Sequence, residues 1–267
     1  MSRKFMYLIF SILCLCLIPT NTAQSELVGW WEFNEGSGTE ALDSSGNDNT
    51  GTLHDNVAWR DGKIGLAMEF DGTSGHVEIP FSESLKILNQ GDFTICAWLL
   101  LNTVPLTTNR IVVQQGDLNG TGRSLLFVHS SNEIRSFAGG AATGSGVGVE
   151  AGVWIHAAVV VSEKGATDSI QMVVNGVVAG AANESLGMED SEGAYFFGSH
   201  KNLANVWEGL IDDIRIYNHA LTEEELQGAM EGSGGGYPFA RSPDPTDGAL
   251  VSDTWVNLTW SPGDFAV

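Results

Sequence analysis

Between Asp43 and Gly51 the chain reads D-S-S-G-N-D-N-T-G. Asp43, Asn47, Asp48 and Asn49 crowd oxygen-bearing side chains into a short stretch, and Gly46 and Gly51 let the backbone turn its carbonyls inward. Two chemistries fit that pattern. A calcium ion takes about six to eight oxygens from carboxylates, amides and carbonyls, at roughly 2.3–2.6 Å. Asp, Asn, Ser and Gly also form Asx turns, in which side chains bond their own backbone without any ion. The spacing is not that of an EF-hand, which needs acids at alternate positions and a Glu at the twelfth. A calcium site here must therefore take a ligand from elsewhere in the chain.

Other reactive residue types are present but not in reactive patterns. Six histidines are scattered at 54, 76, 129, 156, 200 and 219, with no pair at zinc-ligand spacing. The run W-I-H-A-A-V places His156 on a buried strand as a core histidine. Gly122–Leu126 resembles G-x-S-x-G but lacks the last Gly of a nucleophile elbow. Gly144–Gly148 (G-S-G-V-G) has neither the helix nor the Lys of a phosphate-binding loop, and reads as a flexible loop tip. Cys96 lies mid-strand between apolar residues, which predicts a buried, inert thiol.

Exposed aromatic rings can stack on the apolar faces of sugars. Trp30, Trp31 and Trp98 fall inside strongly apolar runs and are expected in the core. Trp59, Tyr195 and Trp207 sit beside polar or Gly residues at strand ends. Trp59 and Trp207 are the ligand-binding candidates on that ground, with filling of the sandwich rim as the competing role.

The elements that must position these residues are mostly strands. Thirty-three glycines against 7 prolines, with 8 tryptophans, suggest many short strands joined by tight turns. Strand-like runs occur at Val28–Phe33, Leu66–Phe70, His76–Ile79, Phe93–Leu101, Ile111–Gln115, Ser124–His129 and Ile134–Ala138. More follow at Trp154–Val161, Ile170–Val174, Val177–Ala179, Tyr195–Gly198 and Leu210–Tyr217. Phe93–Leu101 and Trp154–Val161 are apolar on both faces, as central strands covered on both sides would be. Asn175-Gly176 between apolar runs is a strong hairpin signal, since both residues tolerate positive φ in a type I′ turn. Thr222 and Glu225 form a capping box that starts the one clear helix, an end plug with Leu226 and Met230 on one face. The expectation is one all-β sandwich with a short C-terminal helix.

The ends differ from this body. Arg3 and Lys4 precede an apolar run, Phe5–Ile18, closed by Pro19, Asn21 and the small pair Thr22-Ala23. That order is the form of a secretory signal peptide over residues 1–23. Its removal takes away two basic residues and no acidic one. Lys plus Arg then fall from 12 to 10 against 33 acids, and the net charge moves from −21 to −23. Only Cys96 of the 3 cysteines remains, so an internal disulfide is excluded. Such acidity argues against nucleic acid and against an anionic membrane surface as partners. Residues 231–245 form a Gly- and Pro-rich linker, and residues 246–267 read as the start of a second β domain.

Several motifs occur in a telling order: Trp30–Gly38 (W-W-E-F-N-E-G-S-G), Asp43–Gly51, Gly65–Gly72 (G-L-A-M-E-F-D-G), Phe93–Trp98 (F-T-I-C-A-W), Val174–Gly176 (V-N-G) and Gly209–Asn218 (G-L-I-D-D-I-R-I-Y-N). Together they resemble the laminin-G-like (LamG-like) jellyroll domain of the concanavalin A-like lectin/glucanase superfamily, over about residues 27–230. The tail 243–267 resembles the first strands of a fibronectin type III-like module. The resemblance implies two antiparallel sheets in a jellyroll sandwich. It also implies a structural Ca²⁺ joining the early loop to the last strand, with Asp43, Asn47, Asn49 and Asp213 as ligands. Asp212 is the alternative to Asp213, and Arg215 could instead neutralise Asp213. That superfamily contains glycoside hydrolases, which place carboxylates at alternate strand positions so that they share a face. No such run occurs here. Glu189-Asp190-Ser191-Glu192 reads as a loop, and Asp212 and Asp213, being adjacent, are expected on opposite faces. The implied role is a non-catalytic module that binds an extracellular glycan or protein, within a larger secreted or cell-surface protein. A structural or adhesion spacer is the alternative.

Overall fold

The computed structural model describes residues 27–88, 91–116, 123–137, 142–163, 168–184 and 192–233. The segments expected as a signal peptide (1–23) and as the start of a second β domain (246–267), with most of the expected linker, lie outside the described residues. Two antiparallel sheets make up the body. Sheet A holds β1 (Leu27–Trp31), β4 (Val57–Asp61), β5 (Leu66–Asp71), β7 (Phe93–Leu101), β12 (Ile155–Glu163), β13 (Asp168–Val174), β14 (Val177–Glu184) and β16 (Glu208–Tyr217). Sheet B holds β2 (Glu40–Ala41), β3 (Gly51–His54), β6 (His76–Ile79), β8 (Arg110–Gln115), β9 (Arg123–Val128), β10 (Glu133–Ser136), β11 (Thr143–Gly148) and β15 (Tyr195–Phe197). The strand order is β14-β13-β12-β7-β16-β5-β4 in sheet A, with β1 also beside β16, and β11-β10-β9-β8-β15-β6-β3-β2 in sheet B. This is the expected all-β jellyroll sandwich.

The two-faced apolar runs occupy the middle of sheet A, as their composition requires. From β7, Phe93, Ile95, Ala97, Leu99 and Leu101 face the core between the sheets. Cys96 faces the other way, into a second cluster with Ala158, Val160, Val173 and Tyr217. Helix α1 (Glu223–Met230) closes that cluster with Leu226 and Ala229. Burying Leu226 there contributes about 2 kcal/mol. The capping box is complete, with the Thr222 hydroxyl accepting from the Glu225 amide and the Glu225 carboxylate accepting from the Thr222 amide. Thr94 ties the helix to the sheet: its hydroxyl donates to the His219 carbonyl and accepts from the Leu221 amide, both at 2.9 Å. The middle of the outward face of sheet A is therefore covered.

Asn175 and Gly176 take φ values of 49° and 78°, the left-handed pair that a type I′ hairpin needs. Gly144–Gly148, expected as a loop tip, is instead most of strand β11. The reason lies in close packing of the two sheets. A Cβ on Gly180 of β14 would fall 2.0 Å from the Gly144 carbonyl oxygen, and one on Gly144 would fall 2.2 Å from Glu133 Oε1. A side chain is excluded where Gly180 meets the Gly144 backbone, whereas a Cβ on Gly146 would meet nothing within 4 Å.

Candidate functional site

The Asp43–Gly51 loop is held by its own hydrogen bonds. Asp43 Oδ1 accepts from the amides of Trp30 and Ser45, and Oδ2 accepts from the Ser45 hydroxyl and the Asn49 amide, all within 2.8–2.9 Å. Asn47 Nδ2 points a donor at the Leu27 and Val28 carbonyls. Asn49 is buried, donating to Val28 O at 2.8 Å and exchanging hydrogen bonds with the Ser84 hydroxyl. Both oxygens of Asp43 thus accept from N–H and O–H donors of the loop and of β1. In the structure Asp43, Asn47 and Asn49 are engaged in loop hydrogen bonds and Asp213 in the pair with Arg215. The Asx-turn alternative describes the loop. Asp43→Ala is expected to lower stability by about 2 kcal/mol through lost loop hydrogen bonds. Urea unfolding with and without calcium should show that loss unchanged by the ion.

Asp213 is engaged elsewhere. Strand β16 has a bulge between Asp212 and Arg215, where Asp213 takes a φ of 52°. The extra residue breaks the simple alternation, so Asp212 and Asp213 both lie outside the main core rather than on opposite faces. Asp213 receives the Trp30 indole N–H at 2.5 Å and the Arg215 guanidinium at 3.0 and 3.2 Å. The guanidinium also lies 4.4 Å from the centre of the Trp30 ring. Burial pushes the Asp213 carboxyl up while Arg215 pulls it back. For Arg215, burial opposes the charge but the Asp213 carboxylate outweighs it, and the guanidinium is held above its ordinary value. Because a guanidinium keeps its proton in proteins, the pair is ionic. Arg215 is the neutralising partner, and Trp30 is half-buried against it.

The exposed-aromatic expectation is corrected. Trp207 is fully buried in the core, with its indole N–H donating to the Leu210 carbonyl at 3.2 Å. Tyr195 is also buried, its hydroxyl donating to Leu85 O at 2.9 Å. Trp59 pairs in register with Met68 and packs against the core from the edge strand β4. None of the three stands out as a platform, because each ring is used to fill the sandwich. His156 and Cys96 do match expectation. Burial drives His156 down to about 3 and Cys96 up to about 12, so one is a neutral imidazole and the other a protonated thiol.

The chemistry that sequence spacing did not reveal lies on the outward face of sheet B. Val77 and Ile79 of β6 point into the core, so His76 and Glu78 point out. Likewise Tyr195 and Phe197 point in and Phe196 points out. Register carries the row across the sheet: Ser124 opposite Gln114, Gln114 opposite Phe196, Phe196 opposite Glu78, and Glu78 opposite Thr52. His76 stands opposite His54 beside it. The two imidazoles stack with centres 4.7 Å apart and planes 11° apart, and His54 Nε2 is 3.6 Å from Glu78 Oε2. His76 and Phe196 ring centres are 6.1 Å apart. Gln114 is fully buried; its Oε1 accepts from the Lys201 amide at 2.6 Å, while its Nε2 has no partner among the described residues. A Cβ on Gly116 would lie 3.2 Å from the Phe196 ring and 3.3 Å from Lys201 Cδ, so ring and lysine stem converge there.

The turn before β6 is built to present His76. Burial raises the Asp71 carboxyl, but the Thr73 hydroxyl and the amides of Thr73, Ser74 and Gly75 outweigh it and hold the group far below the usual carboxylate range. The turn so fixed offers the Ser74 carbonyl to His76 Nδ1 at 3.0 Å. A carbonyl can only accept, so Nδ1 carries the proton and the neutral ring keeps its lone pair on Nε2. The signal for this cluster was a pairing of β3 with β6, which no local spacing encodes.

A family model described as the concanavalin A-like lectin/glucanases superfamily matches residues 71–227. No curated protein matches the chain. Among solved structures, domain 4 of AbnA, a GH43 extracellular arabinanase from Geobacillus stearothermophilus in complex with arabinotriose, is similar at 19% identity and TM-score 0.54. That match covers 78% of this chain and 99% of the other. The binding domain of Paraclostridial Mosquitocidal Protein 1 is similar at 14% identity and TM-score 0.60, over 78% of this chain and 52% of that one. The Trypanosoma rangeli sialidase in complex with the inhibitor DANA is similar at 15% identity and TM-score 0.57, over 76% of this chain. This chain spans only 32% of the sialidase's length. At these identities the likeness is one of fold.

Proposed function

The chain belongs to the concanavalin A-like lectin/glucanase superfamily, and on that premise we propose that it is a non-catalytic module of a larger exported protein that binds a glycan on the outward face of sheet B. The observation that carries this reading is the cross-strand row Ser124–Gln114–Phe196–Glu78–Thr52. It sets an aromatic ring between an amide and a carboxylate. Sugar sites combine a ring for the apolar sugar face with a few polar groups for the hydroxyls. Helix α1 packs on the other sheet, and along the row Thr52 is exposed and Glu78 half-buried while Phe196 keeps only an edge, 9% exposed, at the surface. An arabinotriose complex of a fold neighbour supports the same class of ligand.

The test is a glycan array, followed by titration calorimetry on the glycans retained. Phe196→Ala and Glu78→Gln should each weaken binding about tenfold or more, equivalent to roughly 1.4 kcal/mol. Trp59→Ala and Trp207→Phe should leave affinity unchanged wherever the variant still folds. Binding to no glycan, or loss of binding through Trp59 but not Phe196, overturns the proposal. The first of those outcomes favours a structural spacer.

A further inference from the structure

We infer that His54, His76 and Glu78 form a binding site for a transition-metal dication of the zinc class, at the β3–β6 end of the outward face of sheet B. The inference does not rest on glycan binding, and Glu78 is the one residue the two sites share. The three residues each offer one ligand atom, and these atoms all lie within 4.8 Å of one another. In a tetrahedral zinc site, bonds of about 2.0–2.1 Å place neighbouring ligand atoms roughly 3.3 Å apart. His54 Nε2 and Glu78 Oε2 are already 3.6 Å apart. Closing the remainder requires the His54 ring to turn out of its stack on His76 so that the two in-plane lone pairs meet, and the side chains of His54 and Glu78, 40% and 42% exposed, have room to move. His76, the third ligand, is only 7% exposed and is oriented in advance.

That orientation is the strongest part of the case. Metal-bound histidines usually donate their second ring N–H to a carbonyl or carboxylate, which fixes the tautomer and aims the lone pair. His76 donates Nδ1–H to the Ser74 carbonyl in that way. The Asp71-centred turn holds the carbonyl in place through three backbone amides. Two imidazoles and one carboxylate form the donor set of zinc sites that keep a fourth position open. Calcium, which takes oxygen ligands, is excluded by the two nitrogens. The cross-strand register of His54 with His76, and the placement of Glu78 two residues along the same face, supply the geometry without any loop.

The site makes no use of the Asp43 loop or the Asp213–Arg215 pair. The competing account is a surface ion pair between a protonated His54 and Glu78, with His76 merely stacked beside it.

The experiment is titration of the purified chain, prepared without a polyhistidine tag and stripped with chelator, with ZnCl₂ in a calorimeter. Co²⁺ absorption serves as the geometric readout. One Zn²⁺ should bind per chain, and Co²⁺ should give the visible bands of a four-coordinate site. His54→Ala and Glu78→Gln, at half-exposed positions that the fold tolerates, should each weaken Zn²⁺ binding about 10–100-fold, as should His76→Ala. His200→Ala and His129→Ala should not. Excess Zn²⁺ should raise the melting temperature of the parent chain but not that of His54→Ala. Absence of stoichiometric Zn²⁺ binding, or binding of equal strength in the His54→Ala and Glu78→Gln variants, overturns the inference and leaves the ion pair. Glycan-array results on chelator-stripped protein separate this outcome from the fate of the glycan proposal.

Discussion

Arg215→Ala is expected to lower the unfolding free energy by about 3–5 kcal/mol, the usual consequence of leaving a buried charge without its partner. Arg215 is fully buried and makes three kinds of contact at once. It pairs with Asp213, it stacks on Trp30, and one terminal nitrogen donates to the Ser233 carbonyl just beyond α1. Removing it strands the Asp213 carboxylate with the Trp30 indole N–H as its one remaining side-chain donor among the described residues. The loss should be visible in urea unfolding followed by tryptophan fluorescence. Coupling can be separated from desolvation. Since burying two charges is itself costly, the double variant Asp213→Ala/Arg215→Met should recover most of the loss. A single-variant effect below about 1 kcal/mol would mean that the pair is solvated and contributes as little as a surface bridge.

The same bulge shows why fold and site were unequally legible in the sequence. Elements whose signal is local were found: the two-faced runs β7 and β12, the Asn175-Gly176 hairpin and the Thr222–Glu225 capping box each carry their cause within a few residues. Strand β11 was hidden because its composition, T-G-S-G-V-G, lacks strand propensity and answers instead to close packing at the sheet edges. Strands β3 and β4 were hidden by their short, mixed-polarity sequences. Trp207 was misjudged because neighbours in sequence do not report on neighbours in space. Its polar flank, Glu208, begins a strand while the indole itself fills the core. His54 and His76 stand 22 positions apart in the chain, so only the β3–β6 register brings them together. The Asp43–Gly51 loop was legible as chemistry but ambiguous as to which chemistry. Turn formers and calcium ligands are the same residue types, so spacing alone does not separate the two.

Asp212→Asn is expected to stabilise the protein at alkaline pH, by an amount that disappears in acid. Asp212 is fully buried, and its Oδ2 accepts from the amides of Lys63 and Ile64 at 2.8 and 2.9 Å while Oδ1 finds no partner among the described residues. Burial pushes its carboxyl from the ordinary 3.8 up to about 7, and the charge on Asp213 pushes in the same direction against the two amides. A carboxyl raised in the folded state favours folding in acid. Below pH of about 4 both states hold the proton and the contribution is complete. Between about 4 and 7 the unfolded chain releases its proton while the fold retains it, so stability falls, and above about 7 the contribution is gone. A shift of that size corresponds to a loss on the order of 4 kcal/mol. Asn keeps the acceptor for Lys63 and Ile64 and never ionises, so the variant lacks that slope. His156 acts oppositely over part of the same range. Burial lowers it from 6.5 to about 3, so its contribution is complete above 6.5 and fades as pH falls through the interval. The parent profile sums the two and can look flat. The difference between parent and Asp212→Asn cancels His156 and isolates the carboxyl. Urea unfolding of both proteins from about pH 4 to pH 8 should give curves that coincide at the acid end and diverge with rising pH, the variant above. Parallel curves across that range would show that Asp212 is ionised in the fold at neutral pH and that a partner for its second oxygen compensates for its burial.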